Sequence, residues 1–415
     1  MCNFPYKILS SIINLQLSVL VSRCISMEQH DFFRGRSIQG AVSLAHELIC
    51  EINIKCHCSN MALKLDINKY YDRMEWGFII RVLRGMDFSS WVIDILFCCF
   101  SSSWMLVYYM GKTHGFFKET HGLSQGDPMS PTLFILMQDV LSFFINKKVS
   151  TGDILPYRRK LNQPPISHLM FADDTLIFIN DSVRSVCSLM KVLDEYYLWS
   201  GQSINRVKSR LYISNKCGAR QVLSIFGLLN MQKGIFPLDY LGSPISPGRV
   251  HVREFDGIVN KIMRRVLDWK NLFLSFGGRI SLINSALTAI PIHFLSARNV
   301  PKGVITAIDK ILADFIWDSN FEGICNWSSW KRMARPVQEG GINVRCLVDA
   351  VHCMQAKLSW EVVEVHTFWG KIMSLQETLQ HSRWIIGRGE ISFWNHNWLG
   401  STIGFPGCPA PLISF

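Results

Sequence analysis

The chain has 13 cysteines but no Cys-x-x-Cys pair and no matched Cys/His spacing of the kind that builds a zinc site. An odd set of scattered thiols is not a disulfide framework either, and reduced cysteines are expected of an intracellular protein. Cys56-His57-Cys58 is the nearest approach to a ligand cluster, yet three consecutive residues do not easily face one ion. Also missing is a basic start followed by an unbroken apolar stretch and a cleavage site, so no secretory signal is read. Trp91 to Met110 is apolar, but Asp94 and Ser101-Ser102-Ser103 split it into a helix-like half and a strand-like half. The expectation is therefore no membrane partner. Neither an internal repeat nor a low-complexity tract is found.

What is there fits a globular body. The 415 residues, 48% of them hydrophobic, are too many for one typical core and point to two or three subdomains. Lys and Arg number 43 against 32 Asp and Glu, a net charge of +11 that favours a polyanionic partner. The excess is local, because Arg206 to Arg279 holds 13 Lys or Arg against Asp239, Glu254, Asp256 and Asp268. Such a stretch is either a face for phosphates or a solvated basic surface.

Three stretches carry chemistry. In His168 to Phe178, two apolar runs flank Asp173-Asp174, the pattern of a hairpin with a carboxylate pair at its tip. Met61 to Trp76 begins as an alternating strand, with Leu63, Leu65 and Ile67 on one side and Lys64 and Asp66 on the other. A carboxylate at that strand end can meet the hairpin pair across a sheet and share a hard divalent cation. The third stretch, His121-Gly122-Leu123-Ser124-Gln125-Gly126-Asp127-Pro128-Met129-Ser130-Pro131, opens a helix, with Ser130 expected as its N-cap and Pro131 in its first turn. Its glycines let backbone approach a ligand closely, and a helix start favours anionic groups.

Helices are expected over 6–22, from Ile38 to Ile52, and from Val183 to Trp199, where Gly201 stops the last. A strand follows at Leu211 to Ser214. Residues 215 to 250 are richer in Gly and Pro, and Tyr240-Leu241-Gly242-Ser243-Pro244 reads as a subdomain boundary. Amphipathic helices then come at 252–268, 278–290 and 301–317, the first of them basic, as in a helical subdomain that grips a duplex.

Strand-Asp66, the Gly-Leu-Ser-Gln-Gly-Asp-Pro loop, the Phe-Ala-Asp-Asp hairpin and Gly-Gln-Ser-Ile-Asn with Lys208 occur in this order. The set resembles the reverse transcriptase of non-LTR (LINE-type) retrotransposons, particularly the plant type. It extends from Cys2-Asn3 through Phe32 to Arg36, past Tyr240-Leu241-Gly242, to Asp268-Trp269-Lys270 and Gly277-Gly278-Arg279. Gly340 to Val344, Trp384, Phe393-Trp394 and Trp398-Leu399-Gly400 look like the family's region beyond the thumb.

The resemblance implies a right-hand polymerase fold of the α+β class, with partial fingers over 1–60, a palm with an antiparallel sheet over 61–235, a helical thumb over 236–330 and a tail region over 331–415. It implies RNA-directed DNA polymerase activity on an RNA template, a DNA primer and dNTP, with no specific protein partner. Asp66, Asp173 and Asp174 would hold Mg2+ or Mn2+, and Tyr71 would be the gate that excludes a ribose 2′-OH. Gln125, Gly126 and Lys208 would line the incoming nucleotide. Arg34, Arg36, Lys261, Arg264 and Arg265 would meet nucleic acid. Gly40, Tyr70 and Ser124 depart from the residues usual in the family, and the start after part of the fingers reads as an N-terminally truncated copy. The alternative is an inactive remnant that at most binds nucleic acid.

Overall fold

The computed structural model describes residues 4–31, 36–54, 58–102, 104–159, 165–248, 252–270, 274–296, 300–317 and 328–364. They form two compact units, Met1–Arg249 and Val250–Phe415. The first unit opens with α1 (Phe4–Cys24) and α2 (Ile38–Cys50), followed by β1 (Asn60–Leu65), α3 (Trp76–Gly85) and α4 (Ser90–Ser101). Next come β2 (Trp104–Tyr109), β3 (Lys112–Lys118), α5 (Ser130–Ser150), β4 (His168–Phe171), β5 (Asp174–Asn180) and α6 (Val183–Ser200). It ends with β6 (Arg210–Ile213), α7 (Ala219–Leu229), β7 (Gln232–Lys233), β8 (Leu238–Tyr240) and β9 (Ser243–Ile245). The apolar stretch from Trp91 to Met110 is thus α4 followed by β2, as its composition requires.

Five strands make the central sheet in the order β4-β5-β1-β6-β7, antiparallel except for the β6–β7 pair. Its two faces have different tasks. Met61, Leu63 and Leu65 of β1, with Ile177 and Ile179 of β5, Met170 of β4 and Leu211 of β6, join the main core with α3 to α6. Burial at strand period 2 fixes the register, since a one-residue slip would turn this set away from the helices. On the opposite face Phe178 meets Tyr157 edge-on at 5.5 Å, and the Tyr157 hydroxyl donates to the Leu48 carbonyl of α2 at 2.6 Å.

Helix α5 lies under the carboxylate hairpin and is buried on almost every side of its first half. Polar side chains there are consequently paired. His168 is fully buried between Ser142 and Ser167, at 2.7 and 2.8 Å, and burial drives its imidazole down to about 3. Gln138 donates to the Thr175 hydroxyl at 3.2 Å, next to Asp174.

Three local expectations are revised. Ser130 is the first helical residue of α5, not its N-cap. Met129 holds the cap position without a side-chain bond, and the Ser130 hydroxyl turns back to Asp127 Oδ2 at 3.4 Å. The Gly- and Pro-rich stretch contains α7, an amphipathic helix that Asn230 closes in a left-handed conformation. Tyr240 to Pro244 is a hairpin turn inside the first unit, with Leu241 and Gly242 at positive φ and Tyr240 paired to Ser243. The first unit runs on to Arg249.

The second unit is helical among its described residues: α8 (Asp256–Lys270), α9 (Phe276–Leu282), α10 (Ala289–Ser296), α11 (Lys302–Trp317), the short α12 (Trp330–Met333) and α13 (Leu347–Glu364). A π-helical turn, Ile283–Leu287, joins α9 to α10, so the segment expected at 278–290 is a longer helical run. Phe255, Ile262, Val266, Leu287, Phe294, Ile308, Leu312 and Phe315 form its core. Residues from 365 onward, including Trp384 and Trp398, lie outside the described residues, as does Arg34.

Candidate active site

Asp66 directly follows Leu65, the last residue of the central strand β1. Leu65 pairs with Thr175 on β5, so Asp66 and Asp174 follow at the same end of the ladder, on the face turned away from the helical core. Asp173 occupies the hairpin tip between Phe171 and Asp174, where Ala172 turns the chain at φ 48°. Asp174 is therefore the first residue of β5 and not part of the tip itself.

The backbone around Asp66 is tied down from the loop after α6. Its N–H donates to the Ser209 hydroxyl at 3.1 Å, and its carbonyl accepts from the Asn205 N–H at 2.8 Å. The Asn68 N–H donates to the Ser203 carbonyl at 2.9 Å, and the Gln202 amide to the Tyr70 carbonyl at 3.1 Å. Gly-Gln-Ser-Ile-Asn thus works as a clamp on the Asp66 to Tyr71 turn. Gly201 has to be glycine, because at φ 74° a Cβ would meet the Arg73 carbonyl at 2.6 Å.

The carboxylates are close enough to feel one another. Asp173 is pushed above its ordinary value, first by burial and then by the charges of Asp174 and Asp66, with Lys64 acting in the opposite sense. The Lys64 ammonium lies 3.4 Å from Asp174 Oδ1. Among the described residues no three His, Cys, Asp or Glu side chains stand at metal-binding spacing. By chemistry the donors still suit a hard divalent cation, since carboxylate oxygens are what such an ion takes and Asp66, Asp173 and Asp174 follow one another at one end of the ladder.

Beside them is an open pocket of about 280 Å3, lined by Tyr70, Tyr71, Gln125, Gly126, Asp127, Pro128, Ser130 and Pro131. Its floor is aromatic: the Tyr71 ring lies 4.7 Å from Tyr70 and 5.1 Å from Phe134 of α5. Burial is the main reason that the Tyr71 phenol is held protonated, followed by Tyr70, Asp31 and Asp173. Gln125 donates to Asp72 Oδ1 at 3.3 Å. Gly126 sits at φ 86°, and Gly122 at φ 92° brings the loop so near Asp72 that a Cβ would stand 2.8 Å from its carbonyl. Tyr71, Gln125 and Gly126 are thus brought together in one pocket.

The other expected residues are dispersed. Lys208 is exposed on a turn whose N–H reaches Asn205 Oδ1 at 3.2 Å. Arg36 directs its guanidinium at the Ser26 carbonyl at 2.8 Å and at the Gln29 carbonyl. Lys261, Arg264 and Arg265 are all exposed on α8, Arg265 lying 5.5 Å from the Trp269 ring centre. Two residues near the site are not read as site residues from the sequence. Lys64 has a signal, its alternation with Asp66. Asp31 has none, because its buried place follows from the bridge between Gln29 and Met170 of β4.

A family model described as reverse transcriptase (RNA-dependent DNA polymerase) matches residues 1–245. The chain belongs to this family, and the three carboxylates stand at one end of its central five-stranded sheet. Over 352 residues it is 24% identical to an uncharacterized 149 kDa protein of transposon TX1 from Xenopus laevis, covering 84% of this chain and 26% of that protein. Over 146 residues it is 25% identical to a Pol polyprotein of the type-1 retrotransposable element R2 from Popillia japonica, covering 35% and 23%. The chain spans about a quarter of the length of these two relatives. A telomerase from Candida tropicalis, solved with a fragment of telomeric RNA, is similar at a TM-score of 0.42 and 15% identity, over 88% of this chain and 55% of that one. One described helical segment, Phe4–Val21 of α1, is long and apolar enough to cross a membrane, by length and composition alone.

Proposed function

We propose that the chain is the polymerising part of an RNA-directed DNA polymerase, adding dNTP to a DNA primer 3′-OH under the direction of an RNA template. The observation that carries this is the meeting of Asp66, Asp173 and Asp174 at one end of the β1–β5 ladder. In this reading residues 61–235 act as palm, 1–60 as part of the fingers, 236–330 as thumb and 331–415 as a tail region. Mg2+ or Mn2+ held by Asp66, Asp173 and Asp174 supplies charge neutralisation for in-line displacement at the α-phosphate when bound.

The chain's own residues do the positioning. Asp66 and Asp174 are placed by opposite strands of one rigid ladder, so their separation is set by the sheet and not by a mobile loop. Tyr71, backed by Tyr70 and Phe134, presents a ring that a deoxyribose passes and a 2′-OH strikes. Gln125 and Gly126 line the nucleotide and template side, and Lys208 serves the triphosphate. Lys261, Arg264 and Arg265 take duplex phosphates. Helix α1 is tied to the body by two side-chain hydrogen bonds, Tyr6 donating to the Cys99 carbonyl at 3.0 Å and Asn14 accepting from Thr132 at 2.6 Å.

The experiment is template-directed addition: a primer annealed to RNA of defined sequence, one dNTP at a time, with Mg2+ or Mn2+. Addition of the complementary dNTP alone is expected. Failure of all four, with duplex binding retained, would leave a nucleic-acid-binding remnant.

A further inference from the structure

Strands β2 and β3 pair with each other and form a sheet of their own. Every residue of β3 is exposed. Large rings stand out from both strands: Trp104, Tyr108 and Tyr109 on β2 and Phe116 and Phe117 on β3, with Tyr108 74% and Phe116 67% exposed. A two-stranded ribbon with so much apolar surface in water is marginal by itself, and patches of this kind mark binding surfaces.

Its chemistry narrows the occupant. Trp104 and Phe116 are stacked, with ring centres 4.5 Å apart and planes 10° apart, leaving an outer ring face free. Cross-strand pairing sets Trp104 against Lys118 and Tyr109 against Lys112, so each end of the ribbon pairs a ring with a lysine. Trp104 to Lys118 contains no Asp or Glu. The register shifts between Met105 and Val107, opposite Gly115 at φ 69°, which is a bulge. A bulge twists the strand and disfavours addition of a further strand along that edge.

The ribbon is also rooted at the pocket. The chain leaves β3 at Lys118 and reaches Gly122, whose N–H donates to the Met74 carbonyl at 2.7 Å and whose carbonyl accepts from the Trp76 indole at 2.7 Å. Gln125 and Gly126 of the pocket follow at once.

We propose that the β2–β3 ribbon is a stacking platform for single-stranded nucleic acid, namely the unpaired template outside the nucleotide pocket. Bases stack on Trp104, Phe116 and the exposed tyrosines, while Lys112 and Lys118 meet phosphates. The naming of that strand as template rests on the polymerase reading; its single-strand affinity does not.

The test is fluorescence anisotropy of the full chain with a labelled single-stranded RNA and with a labelled RNA–DNA duplex. The variants are Trp104→Ser with Phe116→Ser, and Lys112→Ala with Lys118→Ala. Loss of the two rings should weaken single-strand binding by about fivefold or more. Loss of the two lysines should shallow the slope of log affinity against log salt by about 0.7 for each phosphate contact. Duplex affinity and the thermal transition should stay within error in both, since the ribbon lies outside the core. Unchanged single-strand binding in both variants would overturn the proposal. So would sedimentation showing that the wild type self-associates and that the ring variant does not, which assigns the ribbon to a second copy. Single-strand effects without any primer extension would keep the platform and withdraw its role in templating.

Discussion

The Lys64 ammonium, 3.4 Å from Asp174 Oδ1, also donates to the carbonyl of Asp239 at 2.6 Å. One side chain on β1 thus joins the carboxylate hairpin to β8. It stands two residues before Asp66 on the same side of the strand, where a dication would have to share Asp174 with it. Two unit charges 4 Å apart interact by about 1 kcal/mol in water and about 4 kcal/mol at an effective dielectric of 20. Lys64→Met should therefore tighten Mn2+ binding severalfold, as measured from the free-ion signal in electron paramagnetic resonance. Equal or weaker affinity would contradict the competition.

Tyr71 fills the pocket over Phe134, so shortening it opens space where a 2′-OH would stand. Tyr71→Val is expected to raise incorporation of rNTP relative to dNTP by tenfold or more, a ratio read from single-nucleotide extension. Unchanged discrimination would make Tyr71 a core residue of the strand-to-helix turn.

Gly122 is held at φ 92° with its hydrogen toward the Asp72 carbonyl. In Gly122→Ala the backbone conformation is strained and the new Cβ must move away, a cost of about 1 to 3 kcal/mol. A lowered thermal midpoint together with weaker dNTP binding is expected, because the displaced loop carries Gln125 and Gly126. A midpoint equal to that of the wild type would show that the loop relaxes freely.

Lys261, Arg264 and Arg265 lie at i, i+3 and i+4 on α8 and are all exposed. If duplex phosphates meet them, the triple Ala variant should bind with a salt slope reduced by about 0.9 for each lost contact on B-DNA. An identical slope would identify a solvated face.

Much of this arrangement is legible in the sequence where a local pattern decides it. The alternation of Leu63, Lys64, Leu65 and Asp66 gives a strand end, and the run around Asp173-Asp174 gives a hairpin. Gly201 closes α6 because an αL position follows a helical run. The rest is decided by distant partners. Asp31 is buried through a bridge between Gln29 and Met170, and Arg36, read as a phosphate ligand, points at the Ser26 and Gln29 carbonyls. Ser130 has the residue type of a cap, but Asp127 draws its hydroxyl into the turn and the helix begins one position earlier. Helix α7 sits among glycines that look like loop, and its helical character shows once Ile225 and Leu229 are seen to be buried.

The claim on which everything else depends is that Asp66, Asp173 and Asp174 form a nucleotidyl-transfer centre. Its most direct measurement is primer extension on an RNA template with Mg2+ or Mn2+, wild type beside Asp173→Ala, with folding of both checked by circular dichroism. The wild type should extend the primer, and the variant should lose at least about a hundredfold in rate, the scale of a lost electrostatic contribution to the transition state. Equal extension by the two proteins would contradict the account.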